Sequence, residues 1–152
     1  MPAESTAYVI KLSRHLAQPA ADAFAAVEDI ERFPEFMPNV NAIRVIESSD
    51  ARKVAEWDTT IDDAPVNWVE EGIYDRDNFL VRFRALEGVF DRFDGYWQVT
   101  PEAEGSTVTF ELTYVIGLPE IEDLVGPILR ERLVHNAERM LEAIDARVAQ
   151  RP

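Results

Sequence analysis

A chain of 152 residues with 47% hydrophobic and 29% charged residues can bury the core of one domain, so a single domain spanning 1–152 is expected. The net charge of -14 excludes a nucleic-acid face, which needs clustered Lys and Arg to replace phosphate counterions, and disfavours anionic membranes for the same reason. With no cysteine and two histidines, His15 and His135, the chain lacks a thiol nucleophile, a disulfide framework and the donors for a transition metal, so no metal or cofactor is expected.

Met1–Thr6 has neither a basic leader nor an apolar core, and no stretch is apolar enough to span a bilayer, which makes a cytoplasmic location the expectation. From Thr6 to Leu16 the sequence alternates and is rich in β-formers, ending at Gln18-Pro19: a first strand. Pro19 can open a helix, and Ala20–Asp29 carries Ala21, Phe24, Ala25 and Val27 at helical spacing. In Ile30–Asn39 two prolines allow only a short helical turn, yet Phe33, Phe36 and Met37 group on one side as a ring-bearing cover.

Period two then runs from Val40 to Tyr114. It is broken by turn clusters at Ser48-Ser49-Asp50, Asp62-Asp63-Ala64-Pro65, Asp75-Arg76-Asp77-Asn78, Asp91 and Glu104-Gly105-Ser106. Consecutive antiparallel hairpins follow, giving about seven strands with the first, enough for a strongly bent sheet. After Gly117-Leu118-Pro119, the residues Ile121, Leu124, Val125, Ile128, Leu133, Ala137, Met140, Leu141, Ile144 and Val148 mark one long amphipathic helix. At ~1.5 Å per residue it crosses a small sheet. The termini, including Ala149–Pro152, are expected to be loose.

This order, with Glu31-Arg32-Phe33-Pro34-Glu35-Phe36, Trp68-Val69-Glu70-Glu71, Gly88-Val89-Phe90 and Gly95-Tyr96-Trp97, resembles the polyketide cyclase/dehydrase and lipid-transport superfamily, which includes START and Bet v 1 proteins. The resemblance implies an α+β helix-grip fold: a curved antiparallel sheet around a long C-terminal helix, two short helices after the first strand, and an internal cavity for a hydrophobic or aromatic small molecule. One branch, the aromatase/cyclases of polyketide and antibiotic pathways, closes rings by aldol chemistry and loses water. On that pattern Phe33 and Met37 match lid rings, Trp68 and Trp97 match cavity tryptophans, and Arg84 matches an arginine before the Gly-x-Phe turn, while Gly72 stands where a second arginine falls. The other branch, coenzyme Q-binding proteins, resembles Phe33–Pro38 and Phe90–Trp97 and binds an isoprenoid quinone without turnover.

Among the candidate site residues, Trp68, Glu70 and Tyr74 share one face of a strand with Val66 and Gly72. If that face is inward, Glu70 becomes a general acid or base raised in pKa by desolvation; the alternative is an exposed glutamate. Arg84 would steady an enolate oxygen from inside the cavity. Periodicity opposes this, because Val81, Phe83 and Ala85 form the apolar face of its strand; an enclosed polar cavity can reverse that rule, and the inward position is the one adopted. His135, with Arg132 and Asn136, lies where the helical stripe drifts, and is the candidate imidazole base with an ordinary pKa of ~6.5. Phe36, Phe90, Phe110 and Tyr114 complete the expected ligand wall, with Phe93 and Leu118 as core.

The reading adopted is a cyclase or aromatase, with a non-catalytic carrier of a quinone, isoprenoid or lipid as the alternative. A cyclase would take its substrate from an acyl carrier protein. Such carriers are acidic, so docking needs a basic patch, which Arg130, Arg132 and Arg139 form if the helix exposes them.

Overall fold

In the computed structural model, residues 7–61, 63–117 and 119–150 are described, the side chains of 119–123 excepted. Expectations that fall on Thr6, Asp62, Leu118, the Ile121 side chain and the last two residues lie outside that set.

Strand β1 (Ala7–Leu16) is followed by α1 (Ala20–Glu28), a 3-10 turn at Ile30–Arg32 and α2 (Phe33–Phe36). Strands β2 (Val40–Ser48), β3 (Arg52–Ile61), β4 (Ala64–Asp75), β5 (Leu80–Glu87), β6 (Arg92–Pro101) and β7 (Ser106–Val115) then lead into α3 (Pro119–Ala149). Pro19 precedes α1 in extended conformation, its fixed φ already suited to the turn, and Ala20, Ala23, Phe24 and Val27 bury one side of that helix. Pro34 sits in the first turn of α2, where its missing N–H costs nothing, and Met37 N–H closes the turn on the Phe33 carbonyl.

All seven strands form one antiparallel sheet in the order β1-β7-β6-β5-β4-β3-β2. Each strand after β2 pairs with its predecessor through a hairpin. β1 and β2 are the two edges, joined through α1 and α2, which cross the concave side between them. Register breaks at Val40/Ala42, Val45/Glu47 and Val69/Glu70 insert bulges that increase local twist and curl the sheet. Gly95 serves the same bend: a Cβ there would stand 1.8 Å from the Glu111 carbonyl oxygen of β7, so β6 and β7 approach closely only because this residue has no side chain.

Alternation is cleanest in β7, where Ser106, Val108, Phe110, Leu112 and Tyr114 face inward. α3 closes the concave side with Leu133, Ala137, Met140, Leu141, Ile144 and Val148, all buried in one core with α1 and the sheet. This is the helix-grip arrangement. Two residues of the expected stripe do not join it. Leu124 and Ile128 are 76% and 55% exposed, while Val125 and Leu129 pack on the core. A step of four residues advances 400°, a drift of about 40°, so Val125, Leu129, Leu133 and Ala137 spread over an arc of about 120° towards the sheet; Leu124 and Ile128 fall outside it, about 160° and 120° from its centre.

Candidate functional site

Between the sheet and α3 lies a cavity of about 50 Å3. Its sheet wall is Trp57, Thr59 and Ile61 of β3, Trp68 and Glu70 of β4, Phe83 of β5, Phe93 and Trp97 of β6, and Phe110 and Leu112 of β7. Leu133, Asn136, Ala137 and Met140 of α3 form the other wall, with Asn39 at one end.

Trp57 and Trp68 face each other in register across β3 and β4, and their indoles stack at 5.4 Å and 12°. Phe93 tilts against Trp68 at 5.3 Å, Trp97 against Phe110 at 4.6 Å, and Phe83 stacks on Phe110 at 5.8 Å. The rings therefore pack mainly on one another. Trp68 already has Trp57 on one face, so Trp68 and Trp97 do not enclose a ring-sized gap in this state.

Glu70 is the acidic residue of the cavity wall. The Trp68 Nε1–H donates to its Oε1 at 3.1 Å, and among the described residues no lysine or arginine pairs with it. Desolvation pushes its pKa up to about 8, the indole hydrogen bond pulling weakly the other way, so at neutral pH the carboxyl is mostly protonated. Two further polar atoms on this wall, Trp57 Nε1 and Asn39 Oδ1, are buried with no hydrogen-bond partner among the described residues. Thr59 is satisfied, its hydroxyl donating to the Val66 carbonyl at 2.6 Å.

The other expected site residues are dispersed. Arg84 lies on the convex face, its side chain 64% exposed and its Nε donating to Glu71 Oε1 at 2.8 Å, so the inward position is corrected. Register is the reason: the bulge after Val69 sets Glu70 opposite Ala85 and Glu71 opposite Arg84, and β5 keeps strict alternation with Val81 and Phe83 inward. Arg52 donates to the other Glu71 oxygen at 2.7 Å, and the two guanidinium groups, Arg84 first, hold that carboxyl below the usual range. His135 and Arg132 are exposed on α3, outside the cavity.

Phe33 and Met37 are buried one layer behind the wall; Phe33 meets Trp57 edge-on at 5.8 Å, and Phe36 is covered by the Arg147 guanidinium at 5.1 Å. Tyr74 is buried beyond Gly72, its hydroxyl pKa raised first by desolvation and then by the Glu70 charge. Phe90 packs on Phe93 and Tyr114, and Tyr114 stacks on Tyr8 at 5.3 Å, towards the far end of the sheet. Of the expected residues, then, Glu70, Trp68, Trp97, Phe110 and Asn136 reach the cavity. Trp57, Thr59 and Ile61 were not singled out from the sequence, although their alternation in β3 marks them as one face; nothing in the sequence marks Asn39.

A depression of about 490 Å3 adjoins the cavity, where Pro38 and Asn39 meet Thr60 and Asp63 of the β3–β4 hairpin and Arg132, His135 and Arg139 of α3. Asn39 and Asn136 line both spaces. Arg130 is exposed nearby in sequence but donates to the Val9 carbonyl at 2.9 Å.

A bent seven-stranded sheet gripping a terminal helix defines the helix-grip class, and the family comparison agrees: residues 16–141 match the model described as polyketide cyclase / dehydrase and lipid transport, and the chain belongs to that family. Among its relatives is the ribosome association toxin RatA of Pseudomonas aeruginosa, 27% identical over 147 residues, covering 93% of this chain and 95% of that one. The solved structure of TTHA0849 from Thermus thermophilus is 27% identical, with a TM-score of 0.87 over 93% of this chain and 97% of that one. The Zhui aromatase/cyclase of Streptomyces sp. R1128 shares the fold at a TM-score of 0.89 over 96% of each chain, at 14% identity. No helix among the described residues is long and apolar enough to cross a membrane.

Proposed function

We propose that this protein binds, without turnover, an apolar aromatic or isoprenoid molecule that carries carbonyl oxygens. The observation that carries the reading is the composition of the cavity wall. It combines stacked rings with a protonated Glu70 carboxyl and a Trp57 N–H that lacks a partner among the described residues. Both polar groups are donors in that state, so they match acceptors such as quinone or ketone oxygens; burying either without a partner costs roughly 1–3 kcal/mol.

The cavity as it stands is far below the roughly 300 Å3 of an ordinary ligand site, so binding requires the cover from Ile30 to Met37 and α3 to move apart. Family membership and the aromatase/cyclase neighbours support a ligand-binding cavity, and the position of Arg84 weighs against a built-in enolate stabiliser. Ribosome association, the property in the RatA name, is disfavoured as a direct RNA contact by the net charge of -14.

Extraction of the purified protein followed by mass spectrometry, with melting curves in the presence of quinone analogues, tests the proposal. The expected result is an unaltered carbonyl-bearing apolar ligand, or a melting temperature that rises with analogue concentration. An empty extract together with an unshifted transition overturns it.

A second reading rests on Glu70 alone: a carboxylic acid with a pKa near 8 is suited to proton transfer in aldol closure and dehydration. In that case Glu70→Gln protein would bind a poly-β-ketone chain and release shunt products, whereas a carrier leaves the chain as it was.

A further inference from the structure

The two ends of the cavity offer a ligand opposite hydrogen-bonding chemistry. At one end stands Glu70, opposite Ala55 of β3, with a protonated carboxyl that donates. At the other stands Asn39. Its backbone carbonyl accepts the Thr60 N–H at 2.9 Å and the next residue, Val40, pairs with Thr59, so the sheet fixes Asn39 at the hairpin end of β3. The Asn39 Oδ1 is buried on the cavity wall with no hydrogen-bond partner among the described residues, and unlike the Glu70 hydroxyl and the Trp57 N–H it can only accept. Asn136, the second amide at this end, does not supply the missing donor, because its Nδ2 is directed at Met140 Sδ at 3.6 Å. From Thr59 to Ala55 is four residues of β3, about 13 Å at ~3.3 Å per residue. With a hydrogen bond of ~2.8 Å at either end, that spacing suits polar groups at opposite ends of a two-ring scaffold.

We infer that the cavity selects a ligand with a carbonyl at its Glu70 end and a hydroxyl or N–H at its Asn39 end, Asn39 being the residue that sets the second preference. This rests on the cavity being a ligand site, as proposed above, and narrows what it takes. An isoprenoid quinone, polar at one end only, leaves Asn39 Oδ1 without a donor, whereas a hydroxylated aromatic ketone satisfies both ends. The closed cavity has stripped that oxygen of water and given it nothing in exchange, so a donor arriving there recovers the penalty. Apolar burial alone gives the opposite order, since capping the hydroxyl with a methyl group buries more carbon. An amide turned by 180° would also reverse the preference, by presenting N–H in place of the oxygen.

Titration with three neutral naphthalenes, 2-acetylnaphthalene and its 6-hydroxy and 6-methoxy derivatives, tests the inference on wild-type and Asn39→Ala protein. At pH 6 both the ligand hydroxyl and the Glu70 carboxyl are protonated. The variant keeps the backbone carbonyl that holds Thr60, so it is expected to fold, which a melting curve checks. Wild-type protein is expected to bind the hydroxy compound roughly tenfold more tightly than either of the others, and Asn39→Ala to lose that preference while binding 2-acetylnaphthalene unchanged. Equal affinities, tighter binding of the methoxy compound, or a hydroxyl preference that survives in the variant overturns the inference and leaves the cavity reading standing. Should the variant unfold, the order of the three ligands on wild-type protein decides alone. If none of the three binds, the cavity reading falls, and the Asn39 preference with it.

Discussion

A carboxyl group that receives an indole N–H but no guanidinium has little to keep it ionised, and Glu70 is in that position. Its folded-state pKa of about 8 lies above the ordinary 4.5, so the native state holds a proton that the unfolded chain releases between those values. The corresponding stability is fully present below pH 4.5 and is lost as pH rises through 8. Wild-type protein should therefore be less stable at pH 9 than at pH 5 by roughly 2–4 kcal/mol, less than full conversion at about 1.4 kcal/mol per pH unit because the surroundings relax when the group ionises. Glu70→Gln should flatten that slope in urea titrations at the two pH values, and an unchanged slope would show that Glu70 is ionised in the fold. Arg84 provides the contrast. Its partner Glu71 is 12% exposed but retains Arg52, so Arg84→Ala should cost about 1 kcal/mol or less and leave the binding of quinone analogues unaltered. A large loss of binding in that variant would contradict the convex-face placement.

Strands β6 and β7 are where a single atom decides whether the sheet can bend. Gly95→Ala would place its Cβ 1.8 Å from the Glu111 carbonyl oxygen, and because that oxygen is backbone, relief must come from separating the strands. A loss of about 3 kcal/mol or more in urea unfolding is expected, and a loss below about 1 kcal/mol would mean that the close approach is not required. The order of elements was legible in the sequence because each carries its own period: two in β3 to β7, helical in α1 and α3, and a proline-broken turn between Ile30 and Asn39. The candidate site was legible only where alternation alone decides the face, as for Trp68 and Glu70. Arg84 was misplaced because similarity to a family pattern was set above the strand's own alternation, and the bulge after Val69 that pairs it with Glu71 leaves no local sign. Leu124 and Ile128 were misplaced for a related reason: a helix of 31 residues has more than one apolar row, and only contact with the sheet selects among them.

For the molecule as a whole, a charge of -14 on 152 residues sets a repulsion that local pairs do not cancel. With 29 acids, Glu70 protonated among them, against 15 bases, at least 13 carboxylates cannot be matched one to one, and the pairs that do form, such as Arg44 with Glu56 and Arg14 with Asp145, are exposed or half-exposed and worth little each. Salt acts on the two contributions unequally. A contact pair at 2.6–2.8 Å is far shorter than the screening length at any ordinary ionic strength, whereas repulsion between unpaired carboxylates spread over the surface works at distances that shrink from about 30 Å to about 10 Å of effective range between 0.01 and 0.1 M salt. Screening should remove more repulsion than attraction, so the melting temperature should rise by roughly 2–4 °C on going from 10 to 200 mM NaCl, equivalent to about 1 kcal/mol for a chain of this size.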